Sequence, residues 1–348
     1  MNIFVSGATG YIGIRLVKKL AGEGKIVHAL YRSEQKAGLI RDISGVKLFK
    51  GDILDKPSLK KAMEGCRTAY HTAAFAGVWS KDPGKIFQLN VDGALNVVKT
   101  ARDCGLQRVV VTSTAGILGP SDKEPVHESS PPPENFFTPY EKSKYRMEQE
   151  LLGPDPGFHD LLARGPGFHD LLARGPGFPE IVIVNPTRVF GPGLMSESNS
   201  LTKMIARYME GRWRFIPGDG NSYGNYVFVE DVADGHMLAM EKGKAGERYV
   251  LGGENLSYRQ LFSYIREVSG INRKLWKVPY PVMLGTAGLM KLFSRLTGRP
   301  PLIVPGLIRK YNHNWIVSSG KAVRELGYEP LDVKSGIRRT VDWLNSRE

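Results

Sequence analysis

The stretch NIFVSGATGYIGIRLVKKL, residues 2–20, determines the kind of fold that the rest of the chain has to complete. A short apolar run rich in β-branched residues leads into Gly7, Gly10 and Gly13, and an amphipathic helical pattern follows. Glycines allow a tight turn and close backbone approach, and the N-terminus of a helix offers N–H donors and positive potential to a pyrophosphate. We therefore predict a strand, a dinucleotide-binding turn and a helix. The predicted cofactor contacts in this turn are Gly7, Thr9, Gly10, Tyr11, Ile12 and Gly13.

The first 190 residues continue the same alternation of strand-like and helical patterns. Strand candidates lie at 2–6, 25–31, 46–50, 68–74, 108–114 and 180–185. This alternation predicts an α/β fold with a Rossmann-type doubly wound parallel sheet. Beyond residue 190 the pattern is irregular and returns to strand-like runs only at 225–229 and 248–253.

These patterns predict two lobes. A dinucleotide-binding domain would span residues 1–186, with an insertion at about 153–178, and would be completed by 225–253. A smaller, mostly C-terminal substrate lobe would comprise 187–224 and 254–348.

Composition narrows the class of protein. The formal net charge of +13 is consistent with an anionic partner, which could be nucleic acid, a membrane surface or a phosphorylated cofactor. The sequence has no basic run interleaved with aromatic residues, which argues against nucleic acid.

Cys66 and Cys104 cannot form a disulfide framework, and the start MNIFVSG has no features of a signal peptide, so we expect a cytoplasmic protein. The apolar segment 278–296 is interrupted by prolines and charges, which favours a helix over a substrate pocket rather than a membrane-surface helix.

The end of the second strand suggests the type of cofactor. Folds of this kind that use NAD place an acidic residue there to hold the ribose 2′-hydroxyl, whereas this chain has Arg32. An arginine can pair with a 2′-phosphate, which a carboxylate would repel. We therefore predict a preference for NADP(H), with NAD(H) possible.

The segment FFTPYEKSKYRMEQELL, residues 136–152, carries the predicted catalytic pair. Thr138, Pro139 and Glu141 form a helix start, so Tyr140 falls in the first turn and Lys144 one turn later on the same face. An ammonium beside a phenol at a helix N-terminus favours the anionic phenolate, so we expect the pKa of Tyr140 to fall toward neutrality.

Together, these motifs resemble the extended short-chain dehydrogenases/reductases over most of the chain. The segments that carry the resemblance are GATGYIG (7–13), GDILD (51–55), HTAA (71–74), VTSTAGILG (111–119), YEKSK (140–144), VNPTRVFGPG (184–193) and FVEDVADGH (228–236). The resemblance implies that Thr114 orients the substrate, Tyr140 is the acid–base catalyst, and Lys144 binds the nicotinamide ribose and lowers the pKa of the tyrosine. It also implies a homodimer and further cofactor contacts from Asp52, Ile53, Ala73, Ala74, Thr112, Asn185 and Pro186.

Departures from the family pattern favour a reductase or dehydrogenase. Nucleotide-sugar dehydratases of this family follow the hydroxyl residue with Asp-Glu, whereas this chain has Ala115-Gly116. The epimerases commonly carry a phosphate-binding arginine at the position of Gly224. Dihydroflavonol 4-reductase-like and 3β-hydroxysteroid dehydrogenase-like proteins are most similar. A bacterial group labelled hopanoid-associated sugar epimerases is also similar, through residues 246–257 and 318–330.

Two further features are weighed against this interpretation. Residues 220–224 spell the nucleophile elbow of serine hydrolases, but a strand-like run follows where that motif needs a helix. Residues 157–178 contain a ten-residue phrase twice over, placed away from the predicted active site, where a tandem duplication in a tolerant loop is the simplest interpretation. Its histidines lack a second ligand pair at helical spacing, so we predict no metal site.

The sequence thus predicts an NADP-preferring reductase or dehydrogenase for a ketone or secondary alcohol of a small molecule. Substrate contacts would come from the second lobe, near Met195, Tyr223 and the segment 278–296. An NAD-dependent sugar epimerase and a cofactor-binding scaffold with little turnover are the alternatives that the sequence leaves open.

Overall fold

A computed structural model describes residues 1–77, 79–122, 124–153, 177–297, 301 and 303–347. Nearly all of the doubled segment at 157–178, including both of its histidines, therefore lies outside the described residues. The two described residues at its end, Gly177 and Phe178, lead into a strand of the main sheet, and Phe178 packs against the core beneath it.

The strands of the described chain, in order, are β1 (Asn2–Ser6), β2 (Ile26–Tyr31), β3 (Val46–Lys50), β4 (Cys66–His71), β5 (Arg108–Thr112), β6 (Glu180–Pro186), β7 (Arg188–Phe190), β8 (Phe215–Pro217), β9 (Tyr223–Phe228), β10 (Arg248–Leu251), β11 (Glu254–Ser257) and β12 (Trp276–Val278). The α-helices are α1 (Tyr11–Gly22), α2 (Glu34–Ala37), α3 (Lys56–Met63), α4 (Pro83–Phe87), α5 (Gly93–Asp103), α6 (Pro139–Leu152), α7 (Ser200–Met209), α8 (Val229–Lys242), α9 (Tyr258–Ser269), α10 (Tyr280–Thr297), α11 (Pro305–Tyr311), α12 (Gly320–Leu326) and α13 (Val333–Asn345). A π-helix at Gln88–Asp92 joins α4 to α5, and 3₁₀ turns lie at Ala115–Leu118 and Glu197–Asn199.

Seven strands form one parallel sheet in the order β10-β6-β5-β4-β1-β2-β3. This order reverses direction between β1 and β4, which is the topological switch point where doubly wound folds bind their ligands. The structure confirms the α/β class and the Rossmann-type sheet that the alternating pattern predicts.

Alternate residues of β1 show why helices cover both faces of this sheet. Val5 packs on one side in a core shared with Leu16 of α1, and Phe4 packs on the other side with Leu59 of α3 and Val97 of α5. All five side chains are essentially inaccessible to solvent. A central parallel strand must bury both of its faces, which explains its nearly continuous apolar sequence.

A second set of elements builds a smaller lobe with its own core. A three-stranded sheet has the order β11-β9-β7, and β12 pairs with β8. Phe190, Tyr208 and Phe262 are among the side chains of this core.

The strand predicted at 225–229 is β9, but it joins the three-stranded sheet and not the seven-stranded one that it was expected to complete. The reason is that β9 lies between the two cores. Tyr226 and Phe228 face the core of the smaller lobe, and Val227 faces the core of the main sheet. Only β10, predicted at 248–253, pairs with the seven-stranded sheet, through β6.

Helix α10 occupies most of the apolar segment 278–296. Its Tyr280 and Met283 line a cavity, whereas Leu289 and Phe293 are 71% and 62% exposed. Among the described residues, no helix combines the length and hydrophobicity needed to cross a membrane.

Candidate active site

The glycine turn between β1 and α1 has the backbone geometry that a pyrophosphate needs. Gly7 has a φ of +71°, and a Cβ added to it would lie 2.5 Å from the Ala73 nitrogen. A Cβ on Gly13 would lie 2.0 Å from the Gly7 oxygen, so neither position admits a side chain. Gly10, which precedes α1, supplies no side-chain cap, and the first turn holds no acidic residue. The N–H groups at this helix start therefore remain available, and the turn fits the pyrophosphate of a dinucleotide.

The structure separates backbone from side-chain roles among the other residues predicted for this turn. Thr9 and Ile12 are partly exposed. The buried Tyr11 directs its hydroxyl away from the turn and donates to the Gly191 oxygen at 3.0 Å. The predicted cofactor contact of Tyr11 would therefore come from its backbone.

The remaining predicted cofactor contacts lie along the carboxyl edge of the sheet. Ala73 passes directly behind Gly7, and Ala74 is exposed beside it. Ile53 is buried against Gly93, whose missing side chain leaves the room that Ile53 fills.

Arg32 follows β2, and Asp52 follows the neighbouring strand β3. Arg32 Nη1 lies 3.4 Å from Asp52 Oδ2, and the arginine side chain is 68% exposed. Asp52 also accepts a hydrogen bond from the Leu54 nitrogen at 2.9 Å, which holds its carboxylate in place. An exposed ion pair of this length is weak, so Arg32 can exchange Asp52 for another anion.

The side chains of Tyr140 and Thr114, the two hydroxyl residues of the proposed catalytic set, lie together in the structure. Thr138 and Glu141 form a complete capping box at the start of α6, which puts Tyr140 in the first turn. The Tyr140 hydroxyl forms a hydrogen bond with the Thr114 side chain. Thr114 is held in turn by the Gly116 nitrogen, which donates to its Oγ1 at 3.1 Å.

The prediction that the pKa of Tyr140 falls is wrong in this structure. Burial raises the pKa of Tyr140 to about 12, the neighbouring Glu141 raises it further, and the hydrogen bond from Thr114 lowers it. Withdrawal from water disfavours a phenolate more than one hydroxyl group stabilises it. Tyr140 therefore keeps its proton throughout the neutral range.

Lys144 lies one turn after Tyr140, but its ammonium group contacts the sheet. Lys144 is 1% exposed, and Nζ donates to the Thr112 carbonyl oxygen at 2.8 Å. Burial lowers the pKa of Lys144 to about 8, against the opposing effect of Glu148. Near pH 7 the ammonium is still mostly charged. Burial lowers the pKa of the neighbouring His71, and the charge of Lys144 lowers it further.

A buried polar network lies behind this pair. Asn185 donates from Nδ2 to Glu148 Oε1 at 2.7 Å and lies 3.3 Å from the Thr114 oxygen. Arg248 Nη1 lies 3.5 Å from Glu148 Oε2. Pro186, the last residue of β6, is buried next to this network. The Thr112 hydroxyl forms a 2.7 Å hydrogen bond with Nε2 of the buried His236.

Sequence reasoning missed Glu148, although the spacing contained a signal for it. Glu148 lies four residues after Lys144 and therefore on the same face of α6. Nothing local indicated its partner Arg248, which comes from β10 a hundred residues later.

A second missed link joins the proposed catalytic helix to the smaller lobe. Glu141 Oε1 forms an ion pair with Lys310 of α11, and the Lys310 ammonium lies 4.6 Å from the centroid of the Trp315 ring. Tyr311, the next residue, lines a cavity of ≈ 240 Å³ together with Tyr280 and Met283 of α10. The cavity thus lies one residue from a direct partner of Glu141.

The structure only partly unites the substrate contacts predicted in the second lobe. The segment 278–296 contributes Tyr280 and Met283 to this cavity, and Ser222, the neighbour of Tyr223, also lines it. Met195 instead lines a separate cavity of ≈ 410 Å³ with Tyr11 and Trp343. Ser222 is followed by strand β9, so the helix that a nucleophile elbow requires is not there.

Comparison with known proteins agrees with this architecture. The family model described as "NAD dependent epimerase/dehydratase family" matches residues 3–155 and 172–252. A putative dihydroflavonol 4-reductase of Synechocystis is 29% identical over 349 residues, which cover 99% of this chain and 94% of the relative. Sterol demethylase protein B of Methylococcus capsulatus is 30% identical over 352 residues, covering 100% of this chain and 99% of the relative.

A solved structure shares the fold over its whole length. UDP-glucose 4-epimerase of Thermotoga maritima superimposes with a TM-score of 0.78, covers 100% of this chain and 99% of its own, and is 23% identical. Because the family model matches well over half of the chain, and both relatives align along nearly all of it, the chain belongs to the NAD-dependent epimerase/dehydratase family, the extended short-chain dehydrogenases/reductases.

Proposed function

We propose that this protein is an NADP-preferring reductase that converts a ketone of a small molecule into a secondary alcohol. The observation that carries this proposal is the hydrogen bond between the Tyr140 hydroxyl, in the first turn of α6, and the Thr114 side chain just after β5. Burial raises the pKa of Tyr140 to about 12, so the phenol holds its proton. A group that holds its proton at neutral pH is suited to donate that proton to an oxygen that gains negative charge.

The chain's own residues have separate roles in this reduction. A reduced nicotinamide, when bound, supplies the hydride for the ketone carbon. Thr114 orients the carbonyl oxygen, and Tyr140 transfers its proton to that oxygen as the alcohol forms. The Lys144 ammonium, held on the Thr112 carbonyl, stabilises the tyrosinate that remains until solvent returns a proton.

The preference for NADP rests on the end of β2. Arg32 stands where an NAD-dependent protein of this fold places its acid, and its guanidinium is mostly exposed. The contact with Asp52 is long, at 3.4 Å, and therefore weak, so a 2′-phosphate can take the place of the Asp52 carboxylate beside the guanidinium. The name of the putative dihydroflavonol 4-reductase also supports a ketone reductase. The residue bounds predicted for the two lobes, the homodimer and the cytoplasmic location stay predictions.

The experiment that tests the proposal compares the wild-type protein with Tyr140→Phe. Loss of the proton donor should lower kcat by about 10²- to 10⁴-fold on a panel of ketones. Binding of NADPH, followed by quenching of tryptophan fluorescence, should be retained. Full turnover by Tyr140→Phe would remove Tyr140 from its role.

The nucleotide that the purified protein releases on denaturation gives an independent check. Exchangeable NADPH in preference to NADH supports the reductase. Stoichiometric NAD that survives dialysis would contradict the proposal and favour an epimerase that retains its cofactor.

A further inference from the structure

Arg188 of β7 lies in a cluster of three tyrosines outside the proposed catalytic pair. Its Nη1 donates to the hydroxyl oxygens of Tyr226 and Tyr258, each at 3.2 Å. The guanidinium carbon also lies 4.9 Å from the centroid of the Tyr311 ring. We call Arg188, Tyr226, Tyr258 and Tyr311 the arginine–tyrosine cluster.

The arginine–tyrosine cluster has more hydrogen-bond donors than acceptors. Arg188 Nη2 is buried and has no hydrogen-bond partner among the residues that the structure describes. Tyr226 and Tyr258 accept from Arg188, so each keeps its own hydroxyl proton to donate, and no described residue accepts it. A group of converging donors without an acceptor matches an anion.

The positive charge of the cluster is also unbalanced. Within the described part of the chain, no carboxylate pairs with Arg188, whereas Arg15 pairs with Glu230 and Arg248 with Glu148. Burial raises the pKa of Tyr226, Tyr258 and Tyr311, so the phenols stay neutral. A sequestered guanidinium with neutral neighbours is costly unless an anion joins it.

The position of the cluster relates it to the reaction. Asn185 lies near the end of β6 and donates from Nδ2 to the carbonyl oxygen of Thr114. Arg188 comes three residues later, at the start of β7. Tyr311, whose ring centroid lies 4.9 Å from the guanidinium carbon, also lines the ≈ 240 Å³ cavity.

Gly224 explains how the guanidinium fits in this place. A Cβ on residue 224 would lie 2.6 Å from Arg188 Nη1 and 2.8 Å from the Tyr226 hydroxyl. The guanidinium therefore occupies the space beside β9 that a larger side chain at 224 would take.

We propose that Arg188, Tyr226 and Tyr258 form a subsite for a carboxylate of the ketone substrate, so that the substrate is a keto acid. This inference rests on the proposed function for the ketone and adds the class of substrate. One free guanidinium nitrogen and two phenol protons match the two oxygens of a planar carboxylate. A phosphate, with three oxygens to satisfy, would be left short of donors.

The test measures binding without cofactor, so that it does not depend on turnover. The probes are 3-oxooctanoate and its methyl ester, which differ in charge but share chain and ketone, titrated into the full-length protein by calorimetry. The wild-type protein should bind the acid more tightly than the ester. Arg188→Met should reduce this preference by about 10- to 100-fold, the value of a hydrogen-bonded charge pair.

Two further variants separate the subsite from general effects. Tyr226→Phe and Tyr258→Phe each remove one hydrogen-bond donor and leave the guanidinium in place. Each should reduce the preference for the acid by a few-fold. If Arg188→Met does not fold, these two variants test the subsite in its place. Arg212→Met removes a charge from a side chain of the same lobe that is 78% exposed, and it should leave the preference unchanged.

Three results would overturn the subsite. One is a wild-type protein without preference for the acid. Another is an Arg188→Met protein that keeps the full preference for the acid over the ester. If Arg188→Met does not fold, the same result from both tyrosine variants would overturn the subsite. The third is tighter, Arg188-dependent binding of octyl phosphate than of octanoate, which would replace the carboxylate with a phosphate. If NADPH is added and neither probe turns over while the binding preference persists, the reductase proposal fails for these ketones and the subsite stands.

Discussion

The ammonium of Lys144 donates to the carbonyl oxygen of Thr112 at 2.8 Å, which ties helix α6 to the end of strand β5. Lys144 is a cation buried at the junction of a helix and a sheet, where an apolar side chain would be the more stable choice. A charge retained in such a place is expected to serve the chemistry at a cost in stability.

Replacement of Lys144 by methionine should therefore stabilise the protein near neutral pH and inactivate it. Burial lowers the pKa of Lys144 to about 8, from ~10.4 in an unfolded chain. Below pH 8 both states carry the proton, and the cost of burying the charge is fully present. Between these two values the unfolded state binds more protons than the folded state, so stability rises with pH and the cost disappears.

Urea denaturation of the wild-type and Lys144→Met proteins would measure this effect. The variant should gain about 1–3 kcal/mol in free energy of unfolding at pH 7, less the lost hydrogen bond, and the gain should shrink toward pH 10. Lys142→Met, an exposed position on the same helix, is the control and should show neither change. A gain in unfolding free energy of Lys144→Met over wild type that is smaller at pH 7 than at pH 10 would contradict this expectation.

Substitution of two glycines of α1 by alanine should have opposite effects on the stability of the protein. At Gly13 the new Cβ would meet the Gly7 backbone oxygen at 2.0 Å, and backbone atoms cannot move aside easily. We expect a loss of about 1–3 kcal/mol in stability and a large loss of NADPH affinity, because the turn has to open. At Gly22 a Cβ meets nothing within 4 Å, so alanine should add about 0.5–1 kcal/mol.

Thermal unfolding and NADPH titration of both glycine variants would check this pair. Normal NADPH binding by Gly13→Ala would show that the turn between β1 and α1 does not hold the cofactor.

Removal of Arg32 should distinguish the two nicotinamide cofactors. Arg32→Ala should weaken the binding of NADPH by about 10- to 100-fold and leave the binding of NADH nearly unchanged, because only NADPH carries a 2′-phosphate that the guanidinium can bind. The difference should diminish at high salt, since the side chain is exposed. Arg41→Ala, which also removes an exposed arginine with an acidic partner at 3.3 Å, is the matched control.

Dissociation constants for both cofactors, measured by fluorescence at two salt concentrations, would decide this point. Equal weakening of NADH and NADPH would place Arg32 away from the 2′-position.

The buried pair of Glu148 and Arg248 should show strong energetic coupling. Arg248→Met leaves the Glu148 carboxylate, which is 1% exposed, without its cation and should cost about 3–5 kcal/mol. Burial already raises the pKa of Glu148, so the loss of Arg248 should push it further toward the neutral acid. Adding Glu148→Gln should recover a substantial part of the loss, since the amide is neutral and can still bond to Asn185.

A double-mutant cycle of unfolding free energies would measure this coupling. Strictly additive effects of Arg248→Met and Glu148→Gln would show that the 3.5 Å contact contributes nothing to stability.

Several features could be predicted from sequence because they depend on neighbours along the chain. The turn at Gly7 follows from glycine spacing, and the alternation of strands and helices follows from their different periods. The position of Tyr140 in the first turn of α6 was also predicted, since a capping box depends on residues three apart in sequence.

Other features could not be predicted because they depend on groups far away in sequence. The pKa of Tyr140 rises where a local argument from Lys144 predicted a fall, because desolvation depends on everything packed around the phenol. Strand β9 joined the smaller sheet because its alternating side chains serve two cores at once.

The sequence by itself determined the doubly wound sheet, the cofactor turn and the spacing of Tyr140 and Lys144, since hydrogen-bond geometry and side-chain periodicity act over a few residues. The tertiary structure alone decided which groups are charged and what they face. It brought Lys310 to Glu141 across 169 residues and placed Arg188 against Tyr258 across 70. Burial and electrostatic interactions act through space, so the character of the site follows from how the two lobes pack together.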